Sequence, residues 1–205
     1  MKKMFALLIA LLMVLPVSGL AADAVSSATV SITEVPEATA HENAKTLVIW
    51  FSTNDTVEAV VLTAADAMEA DSFEIVPEQP YTEADLAYYT DGRCDREQAD
   101  DSARPAIVSL PENLEQYDVI FIGYPIWHGQ APKILYTLLE NIDLSGKTIV
   151  PFCTSMSSGA GSSADNLAKL TNSSATWQKA SRIDNNSSTD QIREWAVSAL
   201  AEATK

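Results

Sequence analysis

The stretch Tyr117-Asp-Val-Ile-Phe-Ile-Gly-Tyr-Pro-Ile-Trp-His-Gly-Gln-Ala-Pro132 decides the fold. Val119 to Ile122 is an unbroken apolar run, so both faces of this strand must be covered, as at the centre of a parallel sheet. Gly123 closes the run, and Pro125 removes a backbone donor and stops further pairing. Pro132 suits the first turn of a helix. Behind it Ile134, Leu135, Leu138, Leu139 and Ile142 recur at helical spacing and face the sheet. Ile126, Trp127 and His128 therefore stand where a strand hands over to a helix, the place where open α/β sheets bind ligands. The indole of Trp127 has two readings there: it packs inward as core, or it faces a flat aromatic ligand.

Working outward, Thr46 to Phe51 is a first strand, again nearly all apolar. Ser52-Thr-Asn-Asp-Thr56 is the turn after it, and a helix starts near Thr56 with Val57, Val60, Val61, Ala64 and Met68 on one face. Asp71 to Val76 is a second strand, ended by Pro77 and Pro80. Tyr81 to Pro105 is a long polar insertion with short helices near Glu83–Tyr89 and Asp95–Ser102, and loops of that length are often binding loops or lids. Tyr117 to Tyr124 is the third strand and Lys147 to Cys153 the fourth. Asp165 to Leu170 starts a helix. Ala175 to Ile183 is a fifth strand, the least apolar and so placed at an edge. Ser188 with Gln191 gives a capping box before a last helix that buries Ile192, Trp195, Ala196 and Ala199. Trp50, Trp177 and Trp195 read as core. This alternation of strands and helices gives an α/β domain with a parallel sheet.

Two turns carry the chemistry. A strand, a hydroxyl-rich turn and a helix N-terminus together make an anion site, because backbone N–H groups, hydroxyls and the helix dipole converge. The bland alternative for the Ser52–Thr56 turn is simple helix capping by Asn54 or Asp55. The run Thr154-Ser-Met-Ser-Ser-Gly-Ala-Gly-Ser-Ser163 follows the fourth strand. Gly159 and Gly161 let its backbone come close to a flat ligand; the alternative is a flexible linker.

Gly-Tyr-Pro-Ile-Trp at 123–127, Gly-Gln-Ala-Pro at 129–132 and the Phe-Cys-Thr-Ser run at 152–155 resemble the flavodoxin-like proteins. Pro80-Tyr81 and Arg104-Pro105 frame the insertion as in the group with an extended loop after the second strand. The resemblance spans Lys45 to about Ile183. It implies a doubly wound five-stranded sheet of order 2-1-3-4-5, with FMN across the carboxyl ends of the first, third and fourth strands. Ser52, Thr53, Asn54 and Thr56 are then expected to hold the phosphate. Pro125, Ile126 and Trp127 form a wall beside the ring, and Thr154, Ser155, Ser157 and Gly159 meet its edge. Tyr81, Tyr88 and Tyr89 are candidates either to cover the flavin or merely to pack the insertion down. The first loop departs from the family pattern of Ser/Thr, a variable residue, then Thr-Gly-Asn-Thr. It is one residue shorter, Asn54 stands for the Gly and Asp55 for the Asn, and the Asp55 carboxylate competes for the amides a phosphate needs.

Three functions follow from the resemblance. One is an FMN electron carrier that serves a redox partner protein or a small electron acceptor, tuning the flavin by stacking and charge. Another is an FMN-dependent NAD(P)H or quinone reductase. The last is a flavin-free binding module. A hydrolase built on Ser157 or Ser158 with His128 lacks the Gly-x-Ser-x-Gly pattern, and two distant cysteines and two distant histidines give no metal-ligand spacing.

Met1 to about Ala24 reads as a secretory signal, with Lys2 and Lys3 before an apolar body from Phe5 to Val17 that is short for a membrane span. Residues 25–44 read as a flexible spacer and 45–205 as the domain. The expected location is therefore outside the cytoplasm, without stable membrane insertion after cleavage. A formal net charge of −15 repels nucleic acid and anionic lipid and suits basic partner proteins. Cys94 and Cys153 could form one disulfide in such a compartment, or remain buried thiols. Asn54, Asn172, Asn185 and Asn186 match the short glycosylation pattern, which arises often by chance.

Overall fold

The computed structural model describes residues 44–155, 157–171 and 174–205, and at Asp55 the backbone alone. The leader, all of the spacer but Ala44, the competing Asp55 carboxylate and the glycosylation pattern at Asn172 lie outside the described residues.

The order of elements is β1 (Thr46–Trp50), α1 (Asp55–Met68), β2 (Asp71–Glu74), α2 (Glu83–Leu86), α3 (Arg93–Ala99), β3 (Val119–Pro125), α4 (Lys133–Glu140), β4 (Thr148–Ser155), α5 (Ser163–Ala168), β5 (Thr176–Trp177), β6 (Ser181–Asp184) and α6 (Thr189–Ala203). All named strand pairs are parallel, and the sheet runs β2-β1-β3-β4-β5, with β6 also on β4. This is the expected doubly wound order, with β3 at the centre and every one of its residues buried. Among the described residues no helix is long and apolar enough to cross a membrane.

Each strand of the middle feeds two cores because its side chains alternate. Ile49, Phe51, Ile120, Ile122, Tyr124 and Ile149 point to the side of α4, where Ile134, Leu135, Leu138 and Leu139 are buried. Val48, Trp50, Phe121, Val150 and Phe152 point to the other side, against Val57, Val61 and Ala64 of α1 and Ile192 and Ala196 of α6. The Phe152 ring also meets Trp195, with centroids 5.1 Å apart. That ring lies directly over Gly123 on the neighbouring strand: a Cβ added there would sit 2.5 Å from Phe152 Cζ. Gly123 is thus the residue that lets an aromatic ring cross the strand. The capping box forms as expected, with Ser188 accepting from Gln191 N–H and Gln191 returning the bond to Ser188 N–H.

The fifth strand needs correction. It is not continuous from Ala175 to Ile183 but breaks between β5 and β6. On β4, Lys147 and Ile149 carbonyls accept from Thr176 and Gln178. Alternate residues of a strand face the same neighbour, so the next one facing this edge is Pro151, which has no N–H to offer. Pairing lapses there. Three residues, Gln178 to Ala180, span the gap opposite Val150 and Pro151, before Ser181 pairs with Phe152.

Cys94 and Cys153 are free and buried, so the disulfide reading does not hold. Burial pushes the Cys94 thiol up to about 12 and the Cys153 thiol up to about 11.

Candidate functional site

The carboxyl ends of β1, β3 and β4 surround one cavity of about 270 Å³. From the loop after β1 come Thr53, Asn54 and Thr56; from the end of β3, Pro125, Ile126 and Trp127; from β4, Thr154 and Ser155. Eight of the eleven residues expected from the sequence therefore share one lining. Ser52 is half-buried beside it, its hydroxyl taken up within its own loop. Ser157 and Gly159 are exposed and lie outside the lining. Three further residues complete it: Leu86 and Tyr88 from the insertion, and Asn185 just beyond β6. Asn185 could have been found only by ending the last strand at Asp184, since its place at a strand's carboxyl end is what brings it here.

The loop after β1 is stitched by its own side chains. Ser52 Oγ accepts from Asn54 N–H at 3.0 Å and donates back to the Asn54 carbonyl. Asn54 Oδ1 accepts from Thr56 N–H at 3.1 Å, the expected N-cap. Two amides of the loop are thus occupied, whereas the hydroxyls of Thr53 and Thr56 have no partner among the described residues. Thr154 is only 5% exposed, and its hydroxyl likewise has no partner there. Among the described residues the buried side-chain polar atom left without a partner is Trp177 Nε1, so the Thr154 hydroxyl is open to solvent at the cavity although the residue as a whole is buried.

Trp127 packs inward. It is 5% exposed, and its ring stands edge-on to Phe51 at 5.5 Å and to Tyr81 at 5.2 Å. What it offers the cavity is a narrow margin of indole; Pro125 and Ile126 make the rest of that wall. Tyr81 is core to the insertion, not its cover. Its hydroxyl donates to Glu97 at 2.5 Å, and the Arg93 guanidinium lies 4.1 Å over its ring. Burial and the Glu97 bond together push the phenol far above its ordinary value.

The matching family model is described as Flavodoxin and covers residues 45–199. The chain belongs to the flavodoxin family. Among solved structures it is similar to a candidate flavoprotein from Bacteroides eggerthii, at 40% identity and a TM-score of 0.70, over 77% of this chain and 98% of that one. It is also similar to a candidate flavoprotein from Bacteroides uniformis, at 34% identity and a TM-score of 0.68, over 75% and 98%. A flavoprotein from Lactobacillus acidophilus, solved in complex with FMN, shares the fold at 22% identity and a TM-score of 0.53, over 68% and 93%. No curated protein matches the chain.

In this flavodoxin-family chain the insertion is bound to the tip of β3 by polar contacts. Gln98 does most of it: Nε2 donates to the carbonyls of Trp127 and Ala131 at 3.1 and 3.2 Å, and Oε1 accepts from Lys133 N–H at 3.1 Å. The Tyr88 hydroxyl reaches the Ile126 carbonyl at 3.4 Å, and burial raises its phenol. His128 Nε2 meets Asp95 Oδ1 at 2.8 Å. Desolvation of the Asp95 carboxyl is outweighed by bonds from the Thr90 and Asp91 amides and by His128, and the group is held below the usual carboxylate range. Sequence reasoning missed this pair: Asp95 and His128 lie 33 residues apart, and nothing local marks them as partners.

Proposed function

We propose that this flavodoxin-family protein binds FMN in the cavity at the tips of β1, β3 and β4 and works as an electron carrier. The observation that carries this reading is the convergence of Thr53 and Thr56, Pro125 and Ile126, and Thr154 on one space at the tips of three strands. Those residues fit the group. The Thr53 and Thr56 hydroxyls would hold the phosphate at the start of α1, where the helix dipole adds to them. Asn54 would yield the Thr56 amide to a phosphate oxygen. Pro125, Ile126 and the edge of Trp127 supply an apolar wall for the ring. The Thr154 hydroxyl would bond its polar edge, while the Ser155 hydroxyl is engaged by Ser158 and Arg182.

When bound, FMN supplies reversible transfer of electrons in single steps or as a pair. The chain's own part is placement and tuning. Leu86 and Tyr88 keep water from one side of the cavity. Its volume of about 270 Å³ lies just below the usual range of ligand sites, which starts at about 300 Å³, and the cavity is open to solvent. A chain of net charge −15 disfavours added negative charge on the ring and so lowers its potential. That charge also favours basic partner proteins over anionic ones.

Titration of flavin-free protein with FMN, followed by quenching of flavin fluorescence, tests the reading. Saturation at one FMN per chain is the expected result, with Thr154→Val weakening it by about tenfold, the worth of one hydrogen bond. Fluorescence that never changes, from a protein that stays colourless, overturns it. An exported location, following the leader reading, is part of the same proposal, and cleavage near Ala24 seen by mass spectrometry of the secreted protein is its test.

A further inference from the structure

The break between β5 and β6 opens a second space at the edge of the sheet. Gln178, Lys179 and Ala180 cross the gap and form one wall of a recess of about 510 Å³. Trp177 of β5 and Arg182 of β6 bound that wall, and Ala164 and Asp165 of α5 also line the recess. None of these residues lines the cavity at the strand tips.

The gap leaves donors idle. Gln178 N–H still reaches the Ile149 carbonyl at 2.9 Å. In an unbroken parallel strand the Ala180 N–H would take the next carbonyl along β4. Here neither it nor the Lys179 N–H has an acceptor among the described residues. The Lys179 side chain is exposed, and no ion pair among the described residues involves its ammonium. Trp177 adds a further donor. Its indole is backed by the core on the α4 side, and Nε1 is the buried atom left without a partner. Such a donor forfeits the bond it would make in water, so native proteins keep few of them. Apolar side chains lie behind the indole, and the recess is the side from which an acceptor can come.

We infer that this recess is a binding site for a small aromatic monocarboxylate. Donors without acceptors select an anion, and a carboxylate accepts from several at once. The amides of Lys179 and Ala180 and the Lys179 ammonium take its oxygens at the break, with Trp177 Nε1 as the remaining donor. The indole and Ala164 supply apolar surface for the ring. Charge limits the class. Arg182 adds positive field, although its guanidinium already donates to Ser155 Oγ at 3.2 Å and to the Ser155 carbonyl at 3.0 Å. Asp165 sets one carboxylate against Lys179 and Arg182, so the lining favours one negative charge and resists a second. The inference does not rest on the FMN reading, because the two linings share no residue.

Benzoate is the probe, with benzamide as its neutral counterpart and phthalate as the dianion. In NMR spectra of the full chain labelled with nitrogen-15, benzoate is expected to move the backbone amide signals of Lys179 and Ala180. It should also move one indole N–H signal, the one that Trp177→Phe removes. Lys179→Gln alters an exposed side chain, leaves the fold intact and should weaken benzoate about tenfold. Trp177→Phe keeps an aromatic ring, removes the donor and should weaken it by about the same factor. Benzamide and phthalate should both bind more weakly than benzoate. The inference is overturned if benzoate leaves the three signals where they are, or if benzamide or phthalate moves them at equal concentration. It is overturned equally if either variant holds benzoate as tightly as the wild type. The titration needs no flavin, so its outcome is separate from that of the FMN titration.

Discussion

The sheet and the insertion are held together by different forces. In the sheet, β1, β3 and β4 bury nearly every side chain between two helical layers, and the connection is apolar contact. From Tyr81 to Pro105 the chain is mostly polar: Tyr81, Leu86 and Cys94 reach the core, and the rest is fastened by Gln98, by the Arg104–Glu140 pair with two bonds of 2.7 and 2.6 Å, and by Thr137 Oγ1 donating to the Pro105 carbonyl at 2.8 Å. Apolar burial does not titrate with pH, whereas charged hydrogen bonds do. The molecule thus has a stable frame and a more polar cover, and the candidate site lies along the seam between them.

Leu135→Ala empties a fully buried position under the sheet and should cost about 2–5 kcal/mol, read as a lower denaturant midpoint for the whole domain. Gly123→Ala sets a methyl against Phe152, which cannot swing away from Trp195, and should cost about 1–3 kcal/mol. A wild-type midpoint for either variant would mean that the frame is not the cooperative unit. On the cover's side, Gln98→Ala removes three hydrogen bonds, leaving the Ala131 carbonyl and the Lys133 amide without this partner while the Trp127 carbonyl keeps the Gln130 amide, and should release about 1–3 kcal/mol of local stability. Hydrogen exchange should rise in residues 81–105 and stay unchanged in β1, β3 and β4; equal acceleration everywhere contradicts the division.

Acidity sharpens the same contrast. Hydrogen bonds from Arg104 hold the Glu140 carboxyl below its usual range, and Asp95 is lowered as described. A carboxyl lowered by folding stabilises the native state above its ordinary pKa of about 4, and that contribution fades as pH falls through the folded value. Pepsin at about pH 3 should therefore nick the 81–105 segment while the sheet keeps its circular dichroism. The alkaline limit has the opposite sign. The thiols of Cys153 and Cys94 are raised to about 11 and about 12, and Tyr117 to about 12, chiefly by burial. Their contribution is whole below about pH 9 and is lost as pH climbs through those values, with loss of near-ultraviolet dichroism. The smallest expected effect is Asn54→Ala, which removes the α1 cap for about 1 kcal/mol and frees the Thr56 amide. Its melting temperature should drop by a few degrees, while FMN binding should not weaken.

The same division explains what could be read in the sequence. Val119–Ile122 and Thr46–Phe51 state their burial in consecutive letters, so the strand order and the cavity's position followed from them and from the resemblance. Trp127 stayed ambiguous because an indole at a strand tip satisfies both readings; packing on Phe51 and Tyr81, far away in the chain, decides it. Ser157 and Gly159 looked like site residues by type, yet the loop carries them away from the lining. The split of the last strand was visible only in Pro151, on a different strand, through the direction in which its missing N–H would have pointed. Contacts between distant polar residues, such as Asp95 with His128, have no period and left no trace.

That split has a wider effect. The sheet's outer rims are β2, of four residues, and the pair β5 and β6, of two and four. Neither rim is long or regular enough to template another chain laid alongside. The proline in β4 that interrupts the ladder thereby keeps that rim short, the kind of edge on which strand-to-strand association between copies is disfavoured.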